Sequence, residues 1–522
     1  MDRRAFLRTT TSLVVSTSIS RHARSSATDN QSPKFSTENK RWQRAYDEAL
    51  RILSANVRTL PRFSGAVLIE GADYAGIWQE CGPHEALVYR HFQPEVARNS
   101  HLTFFALQRP DGQLPANNKL TESGFGQIQM VVPIAATAWE LAQATGDDEL
   151  LHKAYAACSR WDDWLSRYRN TRNTGLVEGF CTYDTGHDNS PRWTGIPPQC
   201  PAKDAKRFPP IPTLPRLCPD LSATVYGGRL ALAAMAHASG KSVESERWQK
   251  KADEIRNLIL KRLYVEEDSA FYDLDAQENF VRVRSDVISR ICGEHVLDQI
   301  TFNRIWEQQL HKASAFWSPI PLPSIALDDP HFVRPIERNS WGGPSQALTA
   351  LRAGRWFDYY GRAAEFSHMM NKWCEALQTD MTFRQQLDPL SGEFTQADLP
   401  GYSPACLVMY DYTWRLAGVR EEAHELQWNV RPGHAASEHA RFEVVVDKHK
   451  SAVMQYDKES ARLTLDHQAV AEVKGTARLV SNKNGKLLKV LGISENAEQI
   501  NIKTAQRAHH YVLQPNQEIS IS

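Results

Sequence analysis

Two carboxylates four residues apart, Asp184 and Asp188, stand in the segment Tyr183-Asp-Thr-Gly-His-Asp-Asn-Ser-Pro-Arg-Trp. His187, Arg192 and two aromatics, Tyr183 and Trp193, accompany them, while Gly186 and Pro191 keep the stretch out of a regular helix or strand. Asp, Asn, Ser, Gly and Pro also build plain solvated turns, but such a turn has no use for Tyr183, Arg192 and Trp193. Groups this polar, in a segment that must fold against hydrophobic helices, point to a ligand. Paired carboxylates beside an imidazole and a guanidinium suit general acid–base chemistry.

The segment resembles the Trp-Glu-Ser-Gly-Trp-Asp-Asn-Ser-Pro-Arg-Trp signature of glycoside hydrolases related to family 63, the group of the mannosylglycerate hydrolases, with trehalases as more distant cousins. The resemblance runs in patches over roughly residues 70–420 and is most specific at Asp188, which falls on the family's general acid. Tyr183, Asp184, Thr185 and His187 replace the family's Trp, Glu, Ser and Trp, so the resemblance implies altered sugar contacts beside the acid. Arg192 is read as holding a substrate hydroxyl or carboxylate, or as pairing with Asp184 and tuning Asp188.

Three further segments match the family's loops. Trp78, Gln79 and Glu80 resemble its Trp-Asp segment at the floor of the sugar site. Gln108 and Asp111-Gly112 match a Gln…Asp-Gly…Pro loop, and Gln127 and Gln129 precede an apolar stretch as in relatives. Arg338-Asn-Ser-Trp-Gly-Gly-Pro-Ser resembles a Trp-Arg-Gly-Pro loop, with Trp341 retained and Gly342 in place of the arginine. A tryptophan beside two glycines offers a flat face for a sugar ring.

The fourth segment departs from the pattern at its most important position. Phe383-Arg-Gln-Gln-Leu-Asp-Pro-Leu-Ser-Gly-Glu resembles Phe-Tyr-Glu-x-Tyr-Asp-Pro-x-Thr-Gly-Glu, and the family's general base aligns with Gln385. An amide cannot take a proton from water at neutral pH. Glu393, eight residues on, is the nearest replacement, with Glu337 and Glu80 as others. The resemblance implies an inverting hydrolase with Asp188 as acid and no metal or organic cofactor, and Glu393 is read as the base in place of Gln385. Two other classes stay open: a polysaccharide lyase using Tyr183 or His187, with Arg192 on a uronate, and a sugar-binding relative that has lost catalysis.

The elements that must position these residues are mostly helical. Apolar residues recur at three- and four-residue spacing in Arg41–Val57, Glu85–Gln108, Gln127–Thr145, Asp148–Arg167, Leu221–Ser239, Glu244–Leu263, Phe302–Leu310, Ser345–Tyr360, Ala363–Gln378 and Pro404–Leu416. Tight turns such as Gly146-Asp-Asp alternate with long polar loops, and no fixed repeat period appears. Helical hairpins closed into a ring, the (α/α)6 six-hairpin toroid, fit this text over residues 28–430. Past Trp428, β-branched runs such as Phe442-Glu-Val-Val-Val and Ala461-Arg-Leu-Thr-Leu predict a β-sandwich-like domain over 431–522.

The chain is long enough for a large core, at 522 residues, and its Lys+Arg and Asp+Glu both number 61, so nothing points to nucleic acid or a membrane surface. Arg3 and Arg4 before Phe6-Leu7, a short apolar stretch and a Ser-Ser-Ala ending at Ala27 have the layout of a twin-arginine export signal. Its removal takes five arginines and one aspartate, leaving 56 basic against 60 acidic residues. A periplasmic or secreted address would permit disulfides, and Cys200 and Cys218, which bracket a proline-rich loop, could bridge there. The eight cysteines show no Cys-x-x-Cys or Cys/His spacing for structural zinc.

Overall fold

The computed structural model describes residues 32–334, 338–395, 399–447 and 449–521. The twin-arginine segment and Glu337 lie outside the described residues. Twelve α-helices occur among those described: α1 Lys40–Ala55, α2 Gly82–Tyr89, α3 Pro94–Ala106, α4 Ile134–Thr145, α5 Asp148–Tyr168, α6 Pro219–Ala238, α7 Ser242–Arg262, α8 Val287–Gly293, α9 Gln299–Ile305, α10 Ala347–Ala353, α11 Ala363–Asp380 and α12 Ser403–Ala417.

Local chemistry sets their ends. Asn39 caps α1 by accepting from the Trp42 amide at 3.0 Å, and Asp147 caps α5 by accepting from Leu150 at 2.9 Å. Between them Gly146 closes α4 with a φ of +63°, a conformation that costs most side chains energy. Prolines moved two expected boundaries. Pro94 starts a new helix, so Glu85–Gln108 is two helices, and Pro133 delays α4 to Ile134, leaving Gln127 and Gln129 in a loop. The seven-residue α8 escaped the periodicity because two turns hold too few apolar positions to show a period.

The even-numbered helices touch in a cycle: α2 meets α4, α4 meets α6, α6 meets α8, α8 meets α10, α10 meets α12, and α12 returns to α2. Five of the odd-numbered helices pack against this cycle, α3 on α2, α5 on α4, α7 on α6, α11 and α1 on α12. Burial separates the two sets. Every residue of α12 is buried, whereas α7 buries only Trp248, Ala252, Ile255 and Ile259, one stripe at helical spacing.

Loop length follows the same alternation. Connections from α2, α4, α6, α8 and α10 to the next helix take two to nine residues, while those leading into the even-numbered helices take 22 to 50. Helices joined by short turns run antiparallel, so the long loops collect at one end of the helical assembly. Trp78, Asp188, Trp341 and Gln385 each lie in a different one of these long loops.

A strand-rich region begins at Val419. Its seven-stranded antiparallel sheet runs Lys34–Ser36, Arg441–Val446, Lys450–Tyr456, Ser460–Leu465, Gln468–Lys474, Glu498–Lys503 and Ala508–Leu513 in spatial order. A five-stranded sheet runs Val419–Glu421, Glu425–Val430, Ala477–Asn482, Leu487–Leu491 and Glu518–Ser520. Leu426, Trp428, Phe442, Met454 and Leu479 join the same continuous core as the helices.

Candidate active site

The loop bearing Asp188 connects α5 to α6 and is pinned by a small four-stranded sheet. Its two arms, Glu178–Gly179 and Arg216–Leu217, pair with each other, and Leu217 pairs in turn with Leu274 of the α7–α8 loop. Gly186, at a φ of +62°, lets the Glu80 carboxylate lie against the backbone: a Cβ there would stand 1.7 Å from Glu80 Oε2. Asn189 also takes a positive φ, of 53°, and its amide donates to the Asn339 carbonyl at 2.7 Å, tying this loop to the α9–α10 loop.

Asp188 is partly exposed and sits at the end of a side-chain relay. Tyr74 Oη donates to Gln385 Oε1 at 2.8 Å, Gln385 Nε2 donates to Asn339 Oδ1 at 2.9 Å, and Asn339 Nδ2 donates to Asp188 Oδ2 at 2.8 Å. The Trp341 amide also donates to the Asp188 carbonyl, at 2.9 Å. Burial, then the nearby Glu80 charge, push the Asp188 carboxyl up to about 7 against the pull of the Asn339 hydrogen bond. A carboxyl held at that value is protonated for much of the time at neutral pH and can donate to a leaving oxygen.

Behind this acid lies a buried ion-pair network. Arg192 donates Nε to Asp273 Oδ2 at 2.8 Å, Nη2 to Asp273 Oδ1 at 2.6 Å and to Asp220 Oδ1 at 2.7 Å, and Nη1 to Asp220 Oδ2 at 2.8 Å. Its Nη1 also reaches His187 Nδ1 at 2.8 Å, and His187 Nε2 lies 2.6 Å from Asp286 Oδ1. A guanidinium only donates, so Nδ1 accepts and Nε2 carries the proton toward Asp286. Burial and the Arg290 charge lower His187 to about 4, which keeps this neutral tautomer. Asp220 falls to about 2 because Arg192 outweighs its burial. Asp184 pairs with Arg169, not Arg192, and accepts from the amides of Ile128, Phe180 and Cys181.

These contacts place several of the expected sugar-contact residues inside the protein. Arg192 and His187 have their polar atoms occupied inside the protein and hold the loop's base. Trp193 is buried and donates Nε1 to Thr185 Oγ1 at 2.9 Å. Trp341, 2% exposed, presents its ring to His187 and Arg290. Gln108 gives its amide nitrogen to the Gly112 and Ala157 carbonyls, both at 2.8 Å, and braces a loop against α5. Gln127 is buried in a chain from Gln199 to Gln129.

Tyr183 and Trp78 stay half-open near Asp188 or the relay: the Asp188 charge helps raise the Tyr183 phenol, after burial, and Trp78 packs edge-on against Tyr74 at 5.8 Å. Glu393 is exposed in a turn where its carbonyl accepts from the Asp388 amide at 2.8 Å. Tyr74 and Asn339 carry no catalytic signature in the sequence, and only their side-chain hydrogen bonds reveal them.

Two groupings have the makings of metal ligands among the described residues, Cys181 with Asp184 and Cys200, and Glu70 with Cys81 and Glu85. Asp184 already accepts bonds on both oxygens from Arg169 and three amides. In the second group Cys81 Sγ lies 2.6 Å from Glu70 Oε1, and burial raises all three groups toward their neutral forms, Glu85 to about 7.

Residues 74–414 match the family of mannosylglycerate hydrolase MGH1-like glycoside hydrolase domains, most of the chain. The chain belongs to this glycoside hydrolase family. Among solved structures it is similar to the GH63 mannosylglycerate hydrolase of Thermus thermophilus, at 18% identity and a TM-score of 0.57, covering 70% of this chain and all of that one. A neutral trehalase of Saccharomyces cerevisiae gives 14% identity and a TM-score of 0.52 over 70% of this chain and 79% of its own. At these identities the likeness speaks for fold alone. A Borreliella burgdorferi protein of uncharacterized role is 21% identical over 308 residues, 56% of this chain and 58% of its own length. The family match bears out the expectation of a glycosidase.

Proposed function

We propose that the protein hydrolyses a glycoside with inversion, using Asp188 as general acid on an (α/α)6 toroid. The observation that carries this reading is the Asp188 carboxyl, raised to about 7 and aimed by Asn339 at the end where the long loops meet. The cycle of helix contacts supports the toroid. Trp78, Tyr74 and Tyr183 supply half-open aromatic faces for the sugar.

Gln385 acts here as a positioning residue. Its amide is held by Tyr74 and Asn339, and it orients the residue that orients the acid. In the 383–395 stretch Asp388 is paired with Arg334 at 2.5 Å, and the exposed Glu393 is the group assigned to water activation. The lyase reading needs His187 or Tyr183 as base and Arg192 for a uronate. Arg192 and His187 are engaged in buried ion pairs, which disfavours it. Loss of catalysis is favoured only by Gln385 itself.

A panel of oligosaccharides and glycosides, read by released monosaccharide and by the anomer first formed, tests the proposal. Release of the inverted anomer supports it, while an unsaturated uronate product or saturable binding without turnover would replace it. We also propose export through the twin-arginine segment. Replacing Arg3 and Arg4 by lysine should trap the protein in the cytoplasm, and unchanged export would refute that route.

A further inference from the structure

The loop that carries Asp188 has a narrow neck. On one arm stand Phe180 and Cys181, on the other Pro197 to Cys200, with the whole Tyr183–Trp193 segment between them. Backbone bonds hold the arms side by side: the Thr182 amide donates to the Pro197 carbonyl at 3.0 Å and the Tyr183 amide to Pro198 at 3.1 Å. Thr182 Oγ1 adds a bond to the Ile196 carbonyl at 3.1 Å. Where the arms meet, Cys181 Sγ and Cys200 Sγ lie 3.6 Å apart. With Phe180 these two cysteines form a small buried cluster separate from the main core.

The expected partner of Cys200 is elsewhere. Cys218 Sγ contacts the Arg216 carbonyl and sits over Gly179, where an added Cβ would meet it at 2.7 Å. Closing the Cys181–Cys200 gap to an S–S bond of ~2.05 Å takes about 1.5 Å of sulfur movement, within reach of small side-chain rotations. The Arg169 guanidinium stands beside the pair, its Nη2 3.7 Å from Cys200 Sγ. A cation in the same place is disfavoured by that guanidinium.

We propose that Cys181 and Cys200 are a disulfide pair that fastens the neck of the loop bearing the general acid. The oxidant class is a disulfide, glutathione disulfide in the test below. One cysteine thiolate attacks it, forming a mixed disulfide and releasing one reduced glutathione. The second thiolate then attacks the protein sulfur of that mixed disulfide and releases the other. Two electrons pass from the cysteines to glutathione, and the two thiol protons end on the two released thiols. This modification site is independent of which glycoside is cleaved.

The test uses the full chain in glutathione buffers of rising oxidised fraction. One arm equilibrates the folded protein. The other folds it from denaturant in the same buffers, so that slow exchange of buried thiols cannot imitate a refusal to bridge. Free thiols are alkylated, and non-reduced peptides are mapped by mass spectrometry. The expected result is one linked peptide pair containing Cys181 and Cys200, with the other six cysteines alkylated, and a Tm that falls on reduction. In the Cys181→Ser, Cys200→Ser double variant, reduction should leave Tm unmoved. Eight alkylated cysteines in both arms, or Cys200 joined to Cys218, would overturn the assignment.

Discussion

Glu80→Gln should move the alkaline limb of the activity profile without abolishing activity. Asp188 stands at about 7 because burial and then the Glu80 charge oppose its ionisation. A neighbouring charge shifts a carboxyl by about one to three pKa units. The lower end applies here, because Arg352 and Arg290 partly neutralise Glu80 and burial raises Glu80 itself. Removing the charge should therefore lower the limb by about one unit, ~1.4 kcal/mol. The protonated fraction of Asp188 at pH 7 then drops from about one half to about one tenth, and kcat/KM with it by about fivefold. Near pH 5, where both forms are protonated, the variant should match the wild type. The assay is kcat/KM against pH, with circular dichroism to show an unchanged fold. An unmoved limb would refute the electrostatic coupling. Uniform loss by a factor of about 10² or more at every pH would instead make Glu80 the base.

Other outcomes follow from the same contacts. Asn339→Leu removes the hydrogen bond that favours the Asp188 carboxylate, so the limb should rise, and a downward shift in the kcat/KM profile would contradict the relay. Arg192→Met strands Asp220 and Asp273 in the interior and should cost about 3–5 kcal/mol by chemical denaturation, a loss within ~0.5 kcal/mol arguing against a structural role. Glu393→Gln should lower hydrolysis by about 10²–10⁴, with partial rescue by azide or formate. If it is neutral while Gln385→Glu raises hydrolysis, the native loop holds no base.

The glycoside hydrolase family and the helical character were legible in the sequence because each rests on a local pattern: Asp-Asn-Ser-Pro-Arg-Trp in one case, three- and four-residue spacing in the other. What escaped was long-range partnering. Arg192 sits beside Asp188 in sequence, yet its partners Asp220, in the first turn of α6, and Asp273, in the α7–α8 loop, lie 28 and 81 residues away. His187 reads as a sugar contact until Asp286 is seen 2.6 Å from its Nε2. Gln385 reads as a lost base, and the fold reveals the hydrogen bonds that give an amide work at that position. Cys200 lies 3.6 Å from Cys181 across the neck of a folded loop, a neighbour that spacing along the proline-rich run does not show.

The role of Asp188 is tested most directly by its amide variant on two leaving groups. Asp188→Asn keeps the shape of the side chain but has no carboxyl proton to give. On a natural alkyl or sugar leaving group, kcat/KM should fall by about 10²–10⁴. On a glycosyl fluoride or dinitrophenyl glycoside of the same sugar, whose departure needs no protonation, the variant should keep most of its activity, and its alkaline limb near pH 7 should vanish. Equal losses on both leaving groups, or a natural-substrate rate above about a tenth of wild type, would contradict Asp188 as the general acid.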